Sequence, residues 1–290
     1  VTASLVQWEN QLGSKPACTN GLARTKGEIP KVLSGPNTVI FLQLVSRNIR
    51  TEYLENVTGF AWLILQPLLM LAVYAFVFST IFQARMPEAG DVGFVPYLAV
   101  AFWPWTAFAE SVLKSSASIK SNAALIGKVA FASELLPLST VAATFAMHMA
   151  GYLVVLAVLA LLGTDLHWLG LVIAVPLLLL LALFAAGLAL FASALQVFLR
   201  DLAQILPPLM TFWFFTTPIL YSSSMLPDSL EPVFRWNPAS WYVQRLRESL
   251  LTDLSPLMIM DIVVPVISVG TLVLGLWFFR RLRGHFEDFL

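Results

Sequence analysis

Gly127-Lys128 is the one Gly-Lys pair in the chain, and so the one place where a phosphate-cradling loop could be sought. The pattern GxxxxGK[ST] requires glycine where Asn122 stands and serine or threonine where Val129 stands, so the chain has no phosphate-binding loop of that kind. The three histidines, His148, His167 and His285, are scattered over different segments, and no His-Glu-x-x-His, Gly-x-Ser-x-Gly or paired-carboxylate arrangement accompanies them. A single cysteine, Cys18, excludes an internal disulfide framework and a cysteine-based metal site. No catalytic residue and no metal ligand set is therefore expected. His148 and Glu110 are ionisable groups inside otherwise apolar segments, where polar side chains are expensive and usually matched. The reading is a hydrogen-bonded imidazole between helices for the first and a local partner, not ion coupling, for the second. The remaining chemistry is aromatic. Tyr74, Phe76 and Phe78 form one set, and Phe212-Trp213-Phe214-Phe215 a second that must point around a whole helix. Such rings pack against helices and lipid, face a pore, or stack on the C–H faces of sugar rings.

The elements that carry these residues are apolar on a scale that only a bilayer tolerates. Of 290 residues 58% are hydrophobic and 12% charged, about half the charged fraction of a soluble chain. Formal net charge is zero, which gives no argument for nucleic acid. Six continuous apolar runs, approximately Ala61–Phe82, Phe94–Leu113, Leu135–Leu162, Leu169–Leu195, Leu202–Tyr221 and Pro256–Phe279, each approach the ~20 residues needed to cross ~30 Å of hydrocarbon. They lack the alternation of barrel strands. The expectation is an all-α polytopic membrane protein with six transmembrane helices. With the N-terminus in the cytoplasm, Arg85, Arg235, Arg245 and Arg247 fall outside and the other Lys and Arg residues, out of 17, inside. Positive charge concentrates on the cytoplasmic side, so both termini are expected there. Trp62, Trp103, Trp105, Trp168 and Trp277 lie near the ends of runs and are expected to anchor at the interfaces.

Residues 1–36 are broken by glycine and proline and read as a mobile tail without the apolar core of a cleavable signal peptide. Residues 37–60 read as an amphipathic interface helix: Asn37 and Thr38 can cap it, and Phe41, Val45, Ile49 and Tyr53 recur at i+4. Residues 61–290 form the six-helix domain, with two unusual connections. Segment 114–134 is polar yet carries a stripe of Ile119, Leu125, Ile126, Val129 and Phe131, which reads as a short helix with a contact face. Segment 222–255 is too apolar for a solvated loop and too interrupted by Pro227, Pro232 and Pro238 to span. It reads as short re-entrant outer helices that dip into the outer leaflet or close a pore mouth. Gln66-Pro67, Pro207-Pro208 and Thr216-Thr217-Pro218 are kink positions and candidate hinges, with threonine hydroxyls able to satisfy freed carbonyls.

Several short motifs occur in a recognisable order: Gly59-Phe60-Ala61-Trp62 with Gln66-Pro67-Leu68-Leu69-Met70; Asn122-Ala123-Ala124-Leu125-Ile126-Gly127-Lys128-Val129-Ala130-Phe131 with Glu134 and Pro137; Arg200-Asp201; Thr217-Pro218-Ile219-Leu220-Tyr221; and Asn237-Pro238. From about Asn37 onward the chain resembles the membrane (permease) subunits of ABC-2-type exporters for O-antigen, capsule and teichoic-acid polymers. It departs from them in Glu52 and Glu55, which dilute the basic run before the first span, and in Ala132 and Thr217. The resemblance implies a channel-forming homodimer in the bacterial inner membrane that moves lipid-linked polysaccharide. Two separate ATP-binding cassette subunits would supply ATP and Mg, with no cofactor in this chain. It also implies roles: ATPase coupling for Asn122, Leu125, Ile126, Lys128 and Phe131; channel lining for Tyr74, Phe78, Phe212, Trp213 and Phe215; gate or hinge action for Pro67, Pro207, Pro218, Tyr221 and Trp241. An ABC-2 permease for a drug or lipid is the alternative within transporters. An intramembrane enzyme would need an ionisable cluster at mid-membrane.

Overall fold

The computed structural model describes residues 35–51, 59–81, 93–126, 131–222, 225, 227, 229, 231–252 and 254–289. Among them every regular element is helical. Helix α1 is Gly35–Ile49; α2 is Gly59–Ala75, continued by a π-helical stretch Phe76–Ile81; α3 is Phe94–Ser116. Two single turns follow, α4 (Ser118–Ser121) and α5 (Ala123–Ile126). Then come α6 (Leu135–Leu161), α7 (Gly170–Phe198), α8 (Leu202–Phe215), α9 (Glu231–Arg235), α10 (Pro238–Leu251) and α11 (Met260–Leu282), with a final 3-10 turn Arg283–Asp288.

Three of these elements are long and apolar enough to cross a membrane by length and composition: Leu135–Leu161, Gly170–Phe198 and Met260–Phe286. Helix α3 has 23 residues, about 35 Å at 1.5 Å per residue, but carries Glu110 and Lys114. The first expected span is helical over residues 59–81, its last turns π-helical, whereas the fifth comes out shorter. The run Leu202–Tyr221 is helical for only 14 residues, to Phe215. Thr216 to Tyr221 turn away because Pro218 supplies no amide hydrogen and the carbonyls of Pro218 and Ile219 are taken by Arg247. Pro218 thus follows a helix end instead of kinking a helix. Pro67 and the Pro207-Pro208 pair do lie inside helices. Thr211 back-bonds to the Pro207 carbonyl at 3.0 Å, which is not one of the carbonyls a proline frees, and past the helix end Thr216 and Thr217 donate to that of Trp213 at 3.1 and 2.8 Å.

Two apolar clusters hold the helices. The larger draws on α3, α6, α7, α8 and α10, and in it Phe108 of α3 stacks on Phe184 of α7 at 5.5 Å with Trp213 of α8 edge-on to both. Trp103 and Trp105 belong to it and are buried, so these two are core residues and not interfacial anchors. Trp103 gives its indole N–H to the His148 carbonyl at 2.9 Å and leans on Gly151, where an added Cβ would sit 2.8 Å from the ring. Trp62, Trp168 and Trp277 are exposed, as anchors require. The smaller cluster, at the other end of α6, α7 and α11, gathers Leu44, Ile119, Leu135, Leu190, Phe279 and Phe286.

Helix α1 packs along α6, with Leu44 buried and Asn48 donating to Ser139 and Thr140 at 3.4 Å. Val39 and Leu42 stay exposed on its far side. The tail before Gly35, the stretch 52–58 with Tyr53, and residues 127–130 with Lys128 lie outside the described residues.

Candidate functional site

A groove of about 610 Å³ opens between α2, α3 and α8, within the size range of small-molecule sites. Its walls follow from helical periodicity. Trp62, Gln66, Met70 and Tyr74 recur every four residues on α2; Phe102, Thr106, Glu110 and Lys114 do so on α3, with Trp105 and Ala109 one row over; Pro207, Met210, Thr211 and Phe214 form the α8 wall. Tyr74 stands at the aromatic end, 5.7 Å from both Phe102 and Phe214. The other end is polar. The Glu110 carboxylate receives Lys114 Nζ at 2.7 Å and is hydrogen-bonded by His148 Nε2 from α6. The imidazole lies between two helices and the carboxylate has local partners, as the sequence led us to expect. The imidazole is wholly buried while the Glu110 side chain keeps 33% of its surface open.

The five residues marked for channel lining are dispersed. Tyr74 lines the groove. Phe78 stacks on Phe94 at 6.2 Å beyond it. Trp213 turns into the protein, and Phe212 and Phe215 are exposed on the outside of α8. Phe214, their neighbour, is the member of the run that lines the groove. Pro67 and Pro207 line it as well.

At the opposite end of α8, Asn237 ties three pieces together and fills every hydrogen-bonding capacity of its amide. Oδ1 accepts from Trp213 Nε1 at 2.9 Å and from the Ala239 amide at 3.1 Å, capping α10. Nδ2 donates to the Thr216 carbonyl at 3.1 Å and to Thr217 Oγ1 at 3.0 Å. Tyr221 donates to the Phe215 carbonyl at 2.7 Å and packs against Phe234. Trp241 donates to Asp261 Oδ1 at 2.8 Å. That carboxylate also receives Arg245 Nε at 2.7 Å, and Arg245 Nη1 reaches Glu248 at 2.6 Å. Two residues on from Arg245, the buried Arg247 donates to the carbonyls of Tyr97, Pro218 and Ile219 at 3.0, 2.7 and 2.7 Å, its guanidinium 3.5 Å from the Tyr97 ring centre. Neither arginine was singled out beforehand; each was counted as an outer-side charge. Two arginines two residues apart among Trp241, Tyr242, Leu246 and Leu250 were the available signal.

The connection 114–134 is fastened to the body of the chain on two sides. Asn122 accepts from Arg47 of α1 at 2.7 Å. Glu134, fully buried, receives Arg280 Nε at 3.1 Å and Arg283 Nη1 at 3.5 Å from the end of α11. The apolar stripe is divided by this packing. Ile119 is wholly inside, Ile126 and Phe131 lie at the edge of the smaller cluster, and Leu125 is half-buried. Among the described residues no group of three His, Cys, Asp or Glu is placed to hold a metal ion.

Comparison with known proteins bears on what such a groove and such a loop serve. The sequence profile described as ABC-2 type transporter matches residues 40–251. A protein of Klebsiella pneumoniae named O-antigen export system permease protein RfbA is 26% identical over 254 residues, covering 87% of this chain and 95% of its own. The RfbA of Myxococcus xanthus is 30% identical over 190 residues, 65% of this chain and 70% of its own. The polysialic acid transport protein KpsM of Escherichia coli is 24% identical over 237 residues, 79% of this chain and 85% of its own.

Proposed function

We propose, from the premise that this chain belongs to the ABC-2 type transporter family, that it is the membrane subunit of an ATP-driven exporter of O-antigen-like, lipid-linked polysaccharide. The observation that carries this reading is collinearity: relatives named as O-antigen export permeases align along 87% of the chain. Permeases of this family are non-catalytic, and ATP is hydrolysed by a separate subunit. The drug or lipid alternative draws no support from the names of the relatives.

In this reading two copies assemble in the bacterial inner membrane, each crossing it six times with both termini in the cytoplasm. Two ATP-binding subunits, which bind ATP and Mg, dock on segment 114–134. Helices α2, α3 and α8 border the passage, whose aromatic residues meet sugar faces. Segment 222–255 forms the outer gate, re-entering the outer leaflet as α9 and α10. Support comes from the two-sided fastening of 114–134 to α1 and α11. A loop so held can pass a push from outside to two helices at once.

The test is reconstitution with the ATP-binding partner in vesicles. The permease alone is expected to hydrolyse no ATP, and the complex to move lipid-linked polysaccharide only with ATP. Transport of a small amphiphile with no effect on polymer would overturn the reading. Within the complex, Leu125→Asp puts a charge on the half-buried face of α5. It is expected to cut permease-stimulated ATP hydrolysis at least about tenfold, the effect of losing ~1.4 kcal/mol of coupling, without altering thermal stability of the permease. Unchanged stimulation would remove Leu125 from the docking face.

A further inference from the structure

Two carboxylates of the helical body, Glu134 and Glu110, are held in opposite ways. Glu134 has no exposed surface, and its oxygens face Arg280 and Arg283; it is a clamp. Glu110 is backed by a fully buried histidine and flanked by Lys114, yet a third of its side chain stays open, and it lines the groove. A carboxylate kept out of water is costly unless matched. A purely structural Glu110 would be expected to close over its partners as Glu134 does. Each Glu110 oxygen receives one donor, Lys114 on Oε1 and His148 on Oε2. A carboxylate has about four acceptor positions, so capacity to accept remains on the groove side.

The groove surrounds that capacity with ring faces, Tyr74, Phe102, Trp105 and Phe214, and with the hydroxyls of Thr106 and Thr211. Glu110 and Lys114 are the charged side chains among the described residues of its lining. We infer that Glu110 is a specificity residue of the groove: it accepts hydroxyl hydrogens from a neutral glycan and disfavours sugars that carry carboxylate or phosphate. The inference rests on the reading of the groove as a polysaccharide passage. Lys114 does not offset the discrimination while it is held at 2.7 Å by Glu110. His148 is a positioning residue that fixes the carboxylate from behind.

Two substitutions separate this role from a structural one, because they move selectivity in opposite directions. Glu110→Gln removes the negative charge and keeps the size of the side chain. Lys114→Met leaves the carboxylate less neutralised. The probes are maltohexaose, which is neutral, and hexagalacturonate, a polyanion of equal length. Dissociation constants are read from tryptophan emission of the permease assembled with its ATP-binding subunits, at low salt and near-neutral pH. The unaltered complex is expected to favour maltohexaose at least about tenfold, the scale of one charge-assisted hydrogen bond. Glu110→Gln is expected to bring the ratio to near one, and Lys114→Met to widen it. A ratio unchanged in either variant, or shifted the same way in both, overturns the inference and leaves the passage reading standing. Failure of the unaltered complex to bind either probe overturns both. Should Glu110→Gln fail to assemble, Lys114→Met decides alone: a widened ratio supports the inference and an unchanged one overturns it.

Discussion

Arg247→Met is expected to lower the stability of the protein by about 4 kcal/mol and its unfolding midpoint in detergent by roughly 10 °C. The guanidinium is 6% exposed and spends its donors on carbonyls of two separate elements, Tyr97 on α3 and Pro218 and Ile219 beyond α8. Those last two carbonyls lie past a helix end, where intrahelical partners have run out. Removing the donor leaves several buried acceptors unmet, and each unmet acceptor costs about 1–3 kcal/mol. The cation–π contact with Tyr97 adds about 1 kcal/mol. Methionine fills much of the volume, so the loss reports on hydrogen bonding more than on a cavity. Arg247→Lys keeps the charge, but a single ammonium does not span the three acceptors, and at least half the loss is expected. A midpoint within 2–3 °C of the parent for Arg247→Met, measured by thermal denaturation, would show that α10 is held to α8 by other contacts.

The helical class was legible because composition and unbroken apolar runs leave no other structure for the backbone's polar groups. Helix lengths were less legible. The run to Tyr221 carries no charge after Asp201, and its helix ends at Phe215 where Pro218 withholds an amide and Asn237 and Arg247, 20 to 30 positions onward, capture carbonyls. Trp103 is expected as an interfacial anchor, yet it stands in the middle of α3. It is buried because Gly151, on another helix, leaves room for the ring. The groove was half legible. The rows Trp62-Gln66-Met70-Tyr74 and Phe102-Thr106-Glu110-Lys114 are present in the sequence at i+4 spacing. Which rows face each other is decided by packing. The aromatic run of α8 shows the same limit: four consecutive rings must face four ways, and the chain does not say that Phe214 faces the groove while Trp213 faces Asn237.

The clamps place the chain's charges at points where elements meet. Arg47 with Asn122 and Glu134 with Arg280 and Arg283 bind the loop 114–134 to the first and last described helices. Arg245 and Glu248 with Asp261 bind α10 to the start of α11. Helix α11 is thus fastened by charge at both ends, one beside the loop and one beside α10. If the loop receives the stroke of an ATPase, α11 is the element that reports it across the membrane, and its fit against α7 is the mechanical condition for doing so.

That fit depends on two glycines. An added Cβ on Gly187 of α7 would lie 2.6 Å from the Thr271 carbonyl carbon, and one on Gly275 of α11 would lie 2.5 Å from the Gly187 oxygen. The obstruction on both sides is backbone, which does not swing aside as a side chain can. Close approach through small residues is what packs helices in lipid, where burial of apolar surface gives no drive. Gly187→Val is therefore expected to force α7 and α11 apart and to destabilise by about 3 kcal/mol. That outweighs any gain from replacing a flexible residue in a helix, which is about 1 kcal/mol at most. Gly270→Val is the internal control, since Gly270 lies on the same α11 with nothing within 4 Å of its Cβ position. Thermal denaturation in detergent is expected to separate the two variants by about 8 °C. In the assembled complex, Gly187→Val is also expected to lower ATP-driven transport more than ATP hydrolysis, because the displaced helix carries the arginines that grip Glu134. Equal stability of the two variants would show that α7 and α11 yield at their crossing, and α11 would then be no rigid link between the loop and α10.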